Sequence, residues 1–488
     1  MAQRPHLSSI PSQLPGTTQW AYGIGEMGVV APVSVSIFFL LFFLTQVAGL
    51  SPGQAGAILL VGRLWDAIND PLVGILSDRT PNFPRWGRRY PWIIGSALPL
   101  AIACALQWWI PPLGQGGLLL YYGCLSILCY SFFTTVQIPY TALAAELTRD
   151  YDDRTRLMGF KSAFNILGSI VGLLLAQAIF GWIETPTRQY EVLGIALGGL
   201  VLLGIAIATF GTHSYYQQTR LQLQSSEADS KQNSHNSKEL RFNLRLPLTF
   251  LKGLWKNTPF RWLIGLYLCS WVGVQITAAI LPYFVTGWMQ LPEQHFIQMA
   301  LTVQLSSIFA VPGWSKLAQK RNKRQVYLLG APLAIAGLLG LFTIQPGQWL
   351  GMYGCGGLVG IGLSTFYLVP FAMLPDVIDV DAAQYGQRRE GLFTSVMVFL
   401  QKLTLAIALF LTGTVLDGAG LITGDATGIE QPAQALVAIR WMMGPLPAVS
   451  IVLGVACAWF YPLTRELHHQ ITQPVDGCRS DDGSMEQG

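Results

Sequence analysis

The chain has 488 residues, of which 51% are hydrophobic and only 11% charged, with a formal net charge of +4 and 51 glycines. So apolar a composition excludes a soluble globular protein, and a charge so small and dispersed excludes nucleic acid as a partner. Seven cysteines without a CxxC pair, all but Cys478 inside apolar runs, exclude a disulfide framework or cysteine metal site and are expected to be reduced packing residues.

The N-terminus, MAQRPHLSSIPSQLPGTTQ, lacks the charged-then-apolar pattern of a cleaved signal peptide, so the first apolar run is expected to be its own insertion signal. Apolar runs lie near 20–48, 52–77, 92–111, 117–144, 161–183, 191–212, 260–289, 294–315, 326–345, 349–374, 392–416 and 439–462. A helix crosses a bilayer with about 20 mostly apolar residues, so these predict an all-α membrane protein with twelve transmembrane helices. Basic residues cluster after the even-numbered runs: Arg79, Arg85, Arg88 and Arg89; Arg149, Arg154, Arg156 and Lys161; Lys316, Lys320, Arg321, Lys323 and Arg324; Arg388 and Arg389. After odd-numbered runs the exceptions are Arg188 and Arg440. The positive-inside rule then puts both termini in the cytoplasm of a multi-pass plasma-membrane protein, in the cell inner membrane if the source is Gram-negative.

The second run, GQAGAILLVGRLWDAINDPLVGIL, holds Arg63, Asp66 and Asp70 near its centre. Each such charge costs about 2.5–3.5 kcal/mol on insertion scales. The spacing i, i+3, i+7 puts them on one helical face. Two carboxylates one turn apart repel unless a cation or proton sits between them, which is the arrangement a cation-coupled transporter needs. A structural Arg63–Asp66 ion pair is the alternative, and it leaves Asp70 to be explained. Two other motifs carry no chemistry. Gly49-Leu-Ser51-Pro52-Gly53 fits a nucleophile elbow, but the residue after serine is Pro52, which has no N–H for an oxyanion hole. Gly23-x-Gly25-x-x-Gly28 fits a dinucleotide fingerprint, but no strand precedes it. With no HExxH, Walker loop or histidine cluster, no enzyme is expected.

Between runs six and seven, QSSEADSKQNSHNSKEL predicts a tether and RFNLRLPLTFLKGLWK a helix lying on the inner leaflet, anchored by Trp255. The domains are then 1–212 and 260–463, six runs each, a linker at 213–259 and a cytoplasmic tail at 464–488. Run four carries Pro139, Tyr140 and Leu143 and run ten Pro370, Phe371 and Leu374 at the same spacing, each followed by an acid, Glu146 and Asp376. A parallel repeat of two six-helix bundles predicts a solute site between them near the midplane. Glu146, Asp376, Asp379 and Asp381, at the inner rim, are expected to hold loop arginines as conformational latches. The run Gly354, Gly356, Gly357, Gly360 and Gly362 is expected to let helices pack closely.

Gly74, Asp78 and Arg79, followed by Gly87, Arg88 and Arg89, resemble the loop signature of the major facilitator superfamily. Four blocks resemble the glycoside–pentoside–hexuronide:cation symporters, the melibiose permease-like family: Tyr22-Gly-Ile-Gly-Glu26; Arg63-Leu-Trp-Asp66-Ala-Ile-Asn-Asp70-Pro71; Ile138-Pro139-Tyr140; and Asp376-Val-Ile-Asp379 with Arg388-Arg-Glu390-Gly391 and Lys402. Val61-Gly-Arg-Leu-Trp-Asp-Ala and Ala372-Met-Leu-Pro-Asp-Val-Ile-Asp are also similar to the sodium-coupled lysophosphatidylcholine symporters. The resemblance implies a major facilitator fold, with Asp66 and Asp70 as cation-site carboxylates and Thr134 as a supporting oxygen. It implies a solute site drawing on Glu26, Arg63, Gln137, Tyr367 and Lys402, and a rim of Asp78, Arg79, Arg88, Arg89, Glu146, Asp376 and Arg388. The permease's acids on spans one and four are Val30 and Gln137 here, which puts melibiose itself aside. Glu26 has the alternative of snorkelling to the surface, and Lys402 that of a packing pair for an acid. Counting Glu26, Asp66 and Asp70 against Arg63 and Lys402 leaves one positive charge short, which a monovalent cation would supply.

The expectation is a secondary active transporter that carries a small solute with Na⁺ or H⁺ by alternating access. A sugar or glycoside is implied by the resemblance, a lysophospholipid is the alternative, and a monomer without resident cofactor or structural metal is expected. A ligand-sensing receptor would need an output domain, for which neither the linker nor the tail after Leu463 is large enough.

Overall fold

A backbone in hydrocarbon has no water to bond, so long apolar segments close their N–H and C=O groups within helices. The computed structural model describes residues 14–148, 150–230, 257–385, 389–424 and 431–463. Twelve helices follow one another among them: α1 Gly16–Val47, α2 Pro52–Arg79, α3 Tyr90–Leu106, α4 Gln115–Leu147, α5 Tyr151–Trp182, α6 Pro186–Ser230, α7 Thr258–Trp288, α8 Glu293–Lys320, α9 Lys323–Thr343, α10 Trp349–Tyr385, α11 Glu390–Gly418 and α12 Ala433–Trp459, the last bent at Gly444. Ten are long and apolar enough to cross a membrane. Of the others, α2 has the length, 28 residues, but carries the Arg63, Asp66 and Asp70 charges, and α3 is apolar but has 17 residues. The fold is an all-α membrane architecture of twelve transmembrane helices in two six-helix bundles.

The repeat is visible in the backbone. The first helix of each half, α1 and α7, ends in a five-residue π-helical turn, Phe43–Val47 and Phe284–Trp288. In the first half α1 packs on α5 and α6, α3 on α4 and α6, and α2 on α4; in the second, α9 packs on α10 and α12, α8 on α10, and α7 on α11 and α12. Close approach follows small residues in part of the glycine run. A Cβ on Gly362 would meet the backbone of Ala334 and one on Gly360 that of Val303, whereas Gly354 faces open space.

The halves meet through α2–α11, α1–α7 and α5–α8. Between α5 and α8 Gln304 donates to Ser169 at 2.9 Å; toward the C-terminal end of α1, Thr45 Oγ1 lies 2.6 Å from Tyr283 Oη and the rings of Phe39 and Phe296 are 4.6 Å apart. There α2 and α11 cross on glycine, where a Cβ on Gly413 would sit 3.0 Å from Gly56 Cα. At the opposite end, ion pairs close within each half: Arg88–Glu146 and Arg89–Asp78 in the first, Lys323–Asp376 and Arg389–Asp381 in the second.

Two helices run further than hydropathy predicts. Helix α6 continues through 213–230, into the stretch expected as linker, and α5 starts at Tyr151 rather than near 161. Polar sequence continues both helices because those turns lie beyond the apolar segment, where hydropathy has no signal. The amphipathic stretch at 241–256, the tail after Leu463 and Arg388 lie outside the described residues.

Gly413→Leu should hold α2 and α11 apart, since overpacking a close helix contact costs about 1–3 kcal/mol. A membrane-impermeant thiol reagent should then label a Thr45→Cys variant faster than in the Gly413 parent. Equal rates in both backgrounds would contradict this crossing as the closure of that side.

Candidate cation and solute site

Helix α2 places Arg63, Asp66 and Asp70 inward because i, i+3 and i+7 share a face. Pro71 follows directly and has no N–H, which frees the carbonyl of Ala67 from its helical bond beside the two acids. From α4, Thr134 Oγ1 reaches Asp66 Oδ1 at 3.1 Å and Asp70 Oδ1 at 3.2 Å. One hydroxyl proton serves one carboxylate at a time. From α11, in the other half, Lys402 Nζ lies 2.9 Å from Asp66 Oδ2 and 2.5 Å from Asp70 Oδ2. Asp66 and Thr134 are buried, while the side chains of Asp70 and Lys402 are 23% and 21% exposed, so the pair has one wet edge.

Asp66, Asp70, Thr134 and Lys402 therefore come together. The Arg63–Asp66 pair does not form among the described residues. Arg63 instead lies over the Tyr130 ring, 4.8 Å from its centroid, and its Nε is buried without a hydrogen-bond partner. Lys402 takes the place the sequence leaves to either an acid or the solute, and it takes two acids at once.

A second polar cluster surrounds Glu26, which is 1% exposed and does not snorkel. Gln137 Nε2 donates to both its oxygens at 3.1 and 3.2 Å, Asn165 Nδ2 to Oε1 at 3.0 Å, and Lys161 Nζ stands 3.8 Å away. Lys161 also donates to Thr141 Oγ1 at 2.9 Å. This corrects the charge count. With Lys161 three turns inside α5, the acids Glu26, Asp66 and Asp70 face the three cations Arg63, Lys402 and Lys161, and the sum is zero. Sequence reading assigns Lys161 to a loop. Its spacing of i, i+4 from Asn165 is the signal that it belongs to a helical face.

Tyr367 of α10 is 47% exposed, and the ring contact it makes is with Trp271 of α7, edge-on at 5.2 Å. At the rim, Glu146 accepts from Arg88 at 2.8 Å and Arg89 at 3.1 Å, and Arg89 also holds Asp78 at 2.5 Å. Arg79 lies in the last turn of α2. Asp376 pairs with Lys323 at 2.7 Å, and the buried Asp381 with Arg389 at 2.5 Å. Glu146, Asp376 and Asp381 thus hold basic residues of their own half.

This fold, with a charged site shared between its halves, defines a transporter of the major facilitator class. The chain belongs to the MFS/sugar transport protein family, whose model matches residues 21–465. It is 38% identical to the Uncharacterized symporter sll1374 of Synechocystis sp., over 94% of this chain and 96% of that one. It is 26% identical to the Sodium-dependent lysophosphatidylcholine symporter 1 of Gallus gallus, over 92% of this chain and 86% of that relative. In fold it is similar to the solved nucleoside transporter NupG, with a TM-score of 0.59 at 11% identity, covering 92% of this chain and 100% of that one.

Removing one partner of a buried ion pair costs about 3–5 kcal/mol because the other charge stays buried. Lys402→Met should therefore lower the apparent Tm in cation-free detergent solution, and adding Asp70→Asn should recover most of the loss. A Lys402→Met protein that melts like the parent would contradict the bridging geometry.

Proposed function

We propose that the protein is a symporter that couples a monovalent cation, Na⁺ or H⁺, to a small solute bound between its halves. The observation that carries this reading is the Lys402 ammonium held by Asp66 and Asp70 across the two halves. An ammonium held by one oxygen of each carboxylate, with the Thr134 hydroxyl on the other two, occupies the place a coupling cation would take. A cation entering there releases Lys402, and the freed ammonium is then available to an oxygen of the solute. Cation first, solute second gives coupling, because without the cation the lysine is engaged.

Charge follows the same logic. With Lys402 in place the buried groups sum to zero, so the empty carrier can reorient without carrying charge across the field. Loaded with one cation, the site carries +1. One charge crossing 100 mV supplies about 2.3 kcal/mol and a tenfold ion gradient about 1.4, together enough for roughly several hundredfold accumulation. The rim pairs close within each half while the halves meet on the other side, as expected of a carrier open toward its termini. With both termini cytoplasmic, as the basic loops indicate, that is the inward-facing state.

For the solute, the polar groups of Arg63, Gln137 and Lys402 suit the hydroxyls of a sugar or glycoside, and the half-exposed ring of Tyr367 suits its ring face. Together with the four sequence blocks, this supports our reading of the chain as one of the glycoside–pentoside–hexuronide:cation symporters. A second reading, a lysophospholipid, is favoured by a groove of about 690 Å³ along α8, lined by Ser306, Phe309, Ala310, Gly313, Trp314 and Leu317, with Phe309 80% exposed. Such an apolar slot suits an acyl chain, and the Gallus gallus relative is named for such a solute.

In proteoliposomes, Asp66→Asn or Asp70→Asn should each abolish accumulation driven by a cation gradient. Accumulation that survives the double variant would overturn the coupling assignment. Uptake of labelled sugars against lysophosphatidylcholine separates the solute readings, and Phe309→Lys should impair only the lipid.

A further inference from the structure

Two aromatic pairs face each other in the second half: Tyr267 and Trp271, one turn apart on α7, and Tyr367 and Phe371, one turn apart on α10. Tyr267 stacks on Trp271 at 5.7 Å, Trp271 meets Tyr367 edge-on at 5.2 Å, and Tyr267 meets Phe371 edge-on at 5.7 Å. The α10 rings are the outer layer, 47% and 43% exposed, and the α7 rings lie behind them at 1% for Tyr267 and 8% for Trp271. Both hidden rings carry a donor, and among the described residues neither Trp271 Nε1 nor Tyr267 Oη has a hydrogen-bond partner. Packing alone calls for phenylalanine at such positions, because a buried donor without an acceptor loses its hydration and regains nothing. Indole N–H can only donate, so the missing partner is an acceptor. Helix α7 also meets α1 across the divide, so these donors belong to a helix that borders both halves.

We infer that Trp271 Nε1 and Tyr267 Oη are solute-binding donors that receive an acceptor oxygen of the transported solute when the Tyr367 ring moves aside. The inference rests on the symport reading above and deepens it. The first half and Lys402 would hold the charged end of the site, and this aromatic step would read a hydroxyl or ester oxygen further along the solute. That oxygen is a ring hydroxyl in a glycoside and a glycerol oxygen in a lysophospholipid.

The test uses the full chain in proteoliposomes under a Na⁺ gradient, with radiolabelled methyl β-galactoside and lysophosphatidylcholine as probes. Trp271→Phe and Tyr267→Phe keep the rings and delete the donors. Each should raise KM for the transported probe about five- to tenfold, the size of one lost hydrogen bond, with kcat nearly unchanged. Deoxy analogues, each lacking one hydroxyl of the galactoside or the glycerol hydroxyl of the lysolipid, identify the oxygen. In the wild type one analogue should bind more weakly by a similar factor, and in Trp271→Phe it should lose nothing further. An unchanged KM in both variants, or the same parent-to-analogue ratio in wild type and variant, overturns the inference and returns these rings to packing. Failure of the symport reading looks different: wild-type uptake of both probes would be absent, or indifferent to a Na⁺ gradient and to an H⁺ gradient alike, and the inference would fall with it.

Discussion

Two carboxylates one helical turn apart inside a membrane cannot both stay ionised without a positive charge between them. In this protein that charge is Lys402, which comes from the opposite half and contacts Asp66 and Asp70 together. The contact solves an electrostatic problem of α2 and at the same time ties α2 to α11. On the proposed symport reading, whatever replaces the ammonium must be positive and must seek oxygen, so the interaction that stabilises the empty carrier would also select the coupling ion. Replacement leaves the lysine without a partner, and that is where the solute enters the account.

The remaining architecture serves this exchange. Toward the N-terminal end of α2 the halves approach on glycine, at Gly56 and Gly413, so the two helix backbones come close there. At the rim, arginines and lysines are satisfied by acids of their own half, as with Arg89 on Asp78 and Lys323 on Asp376. Each bundle is thereby braced as a unit, and the halves meet along α2–α11, α1–α7 and α5–α8. Glu26 is handled in the same way, by Gln137, Asn165 and Lys161 within the first half. It need not change partners as the halves separate.

Much of this is legible in the sequence because a membrane allows few solutions. Twelve apolar runs could only be helices, and the charges in α2 are conspicuous against that background. Their common face follows from spacing alone, and so does the proximity of Asp66 to Asp70. Sequence spacing does not show which side chain of another helix completes a cluster. Lys402 was legible as a buried cation but not as a bridge between two acids. Lys161 was hidden by hydropathy, which starts α5 ten residues late and leaves the lysine in a loop. The donors of Trp271 and Tyr267 read as ordinary core aromatics until their missing partners are visible.

The central claim is that a coupling cation displaces Lys402 from Asp66 and Asp70. An amine-reactive reagent applied to the purified protein, followed by mass spectrometry of the Lys402 peptide, reads this directly at fixed pH and fixed ionic strength. With choline as the balancing ion, the rate of Lys402 modification should rise saturably with Na⁺ and lose its Na⁺ dependence in Asp70→Asn. For a proton-coupled carrier the Na⁺ titration is flat, and the Asp70→Asn rate then equals the wild-type rate at low pH after correction for reagent reactivity. A Lys402 that reacts at one rate with or without Na⁺, at low and high pH, and in both proteins would contradict the account.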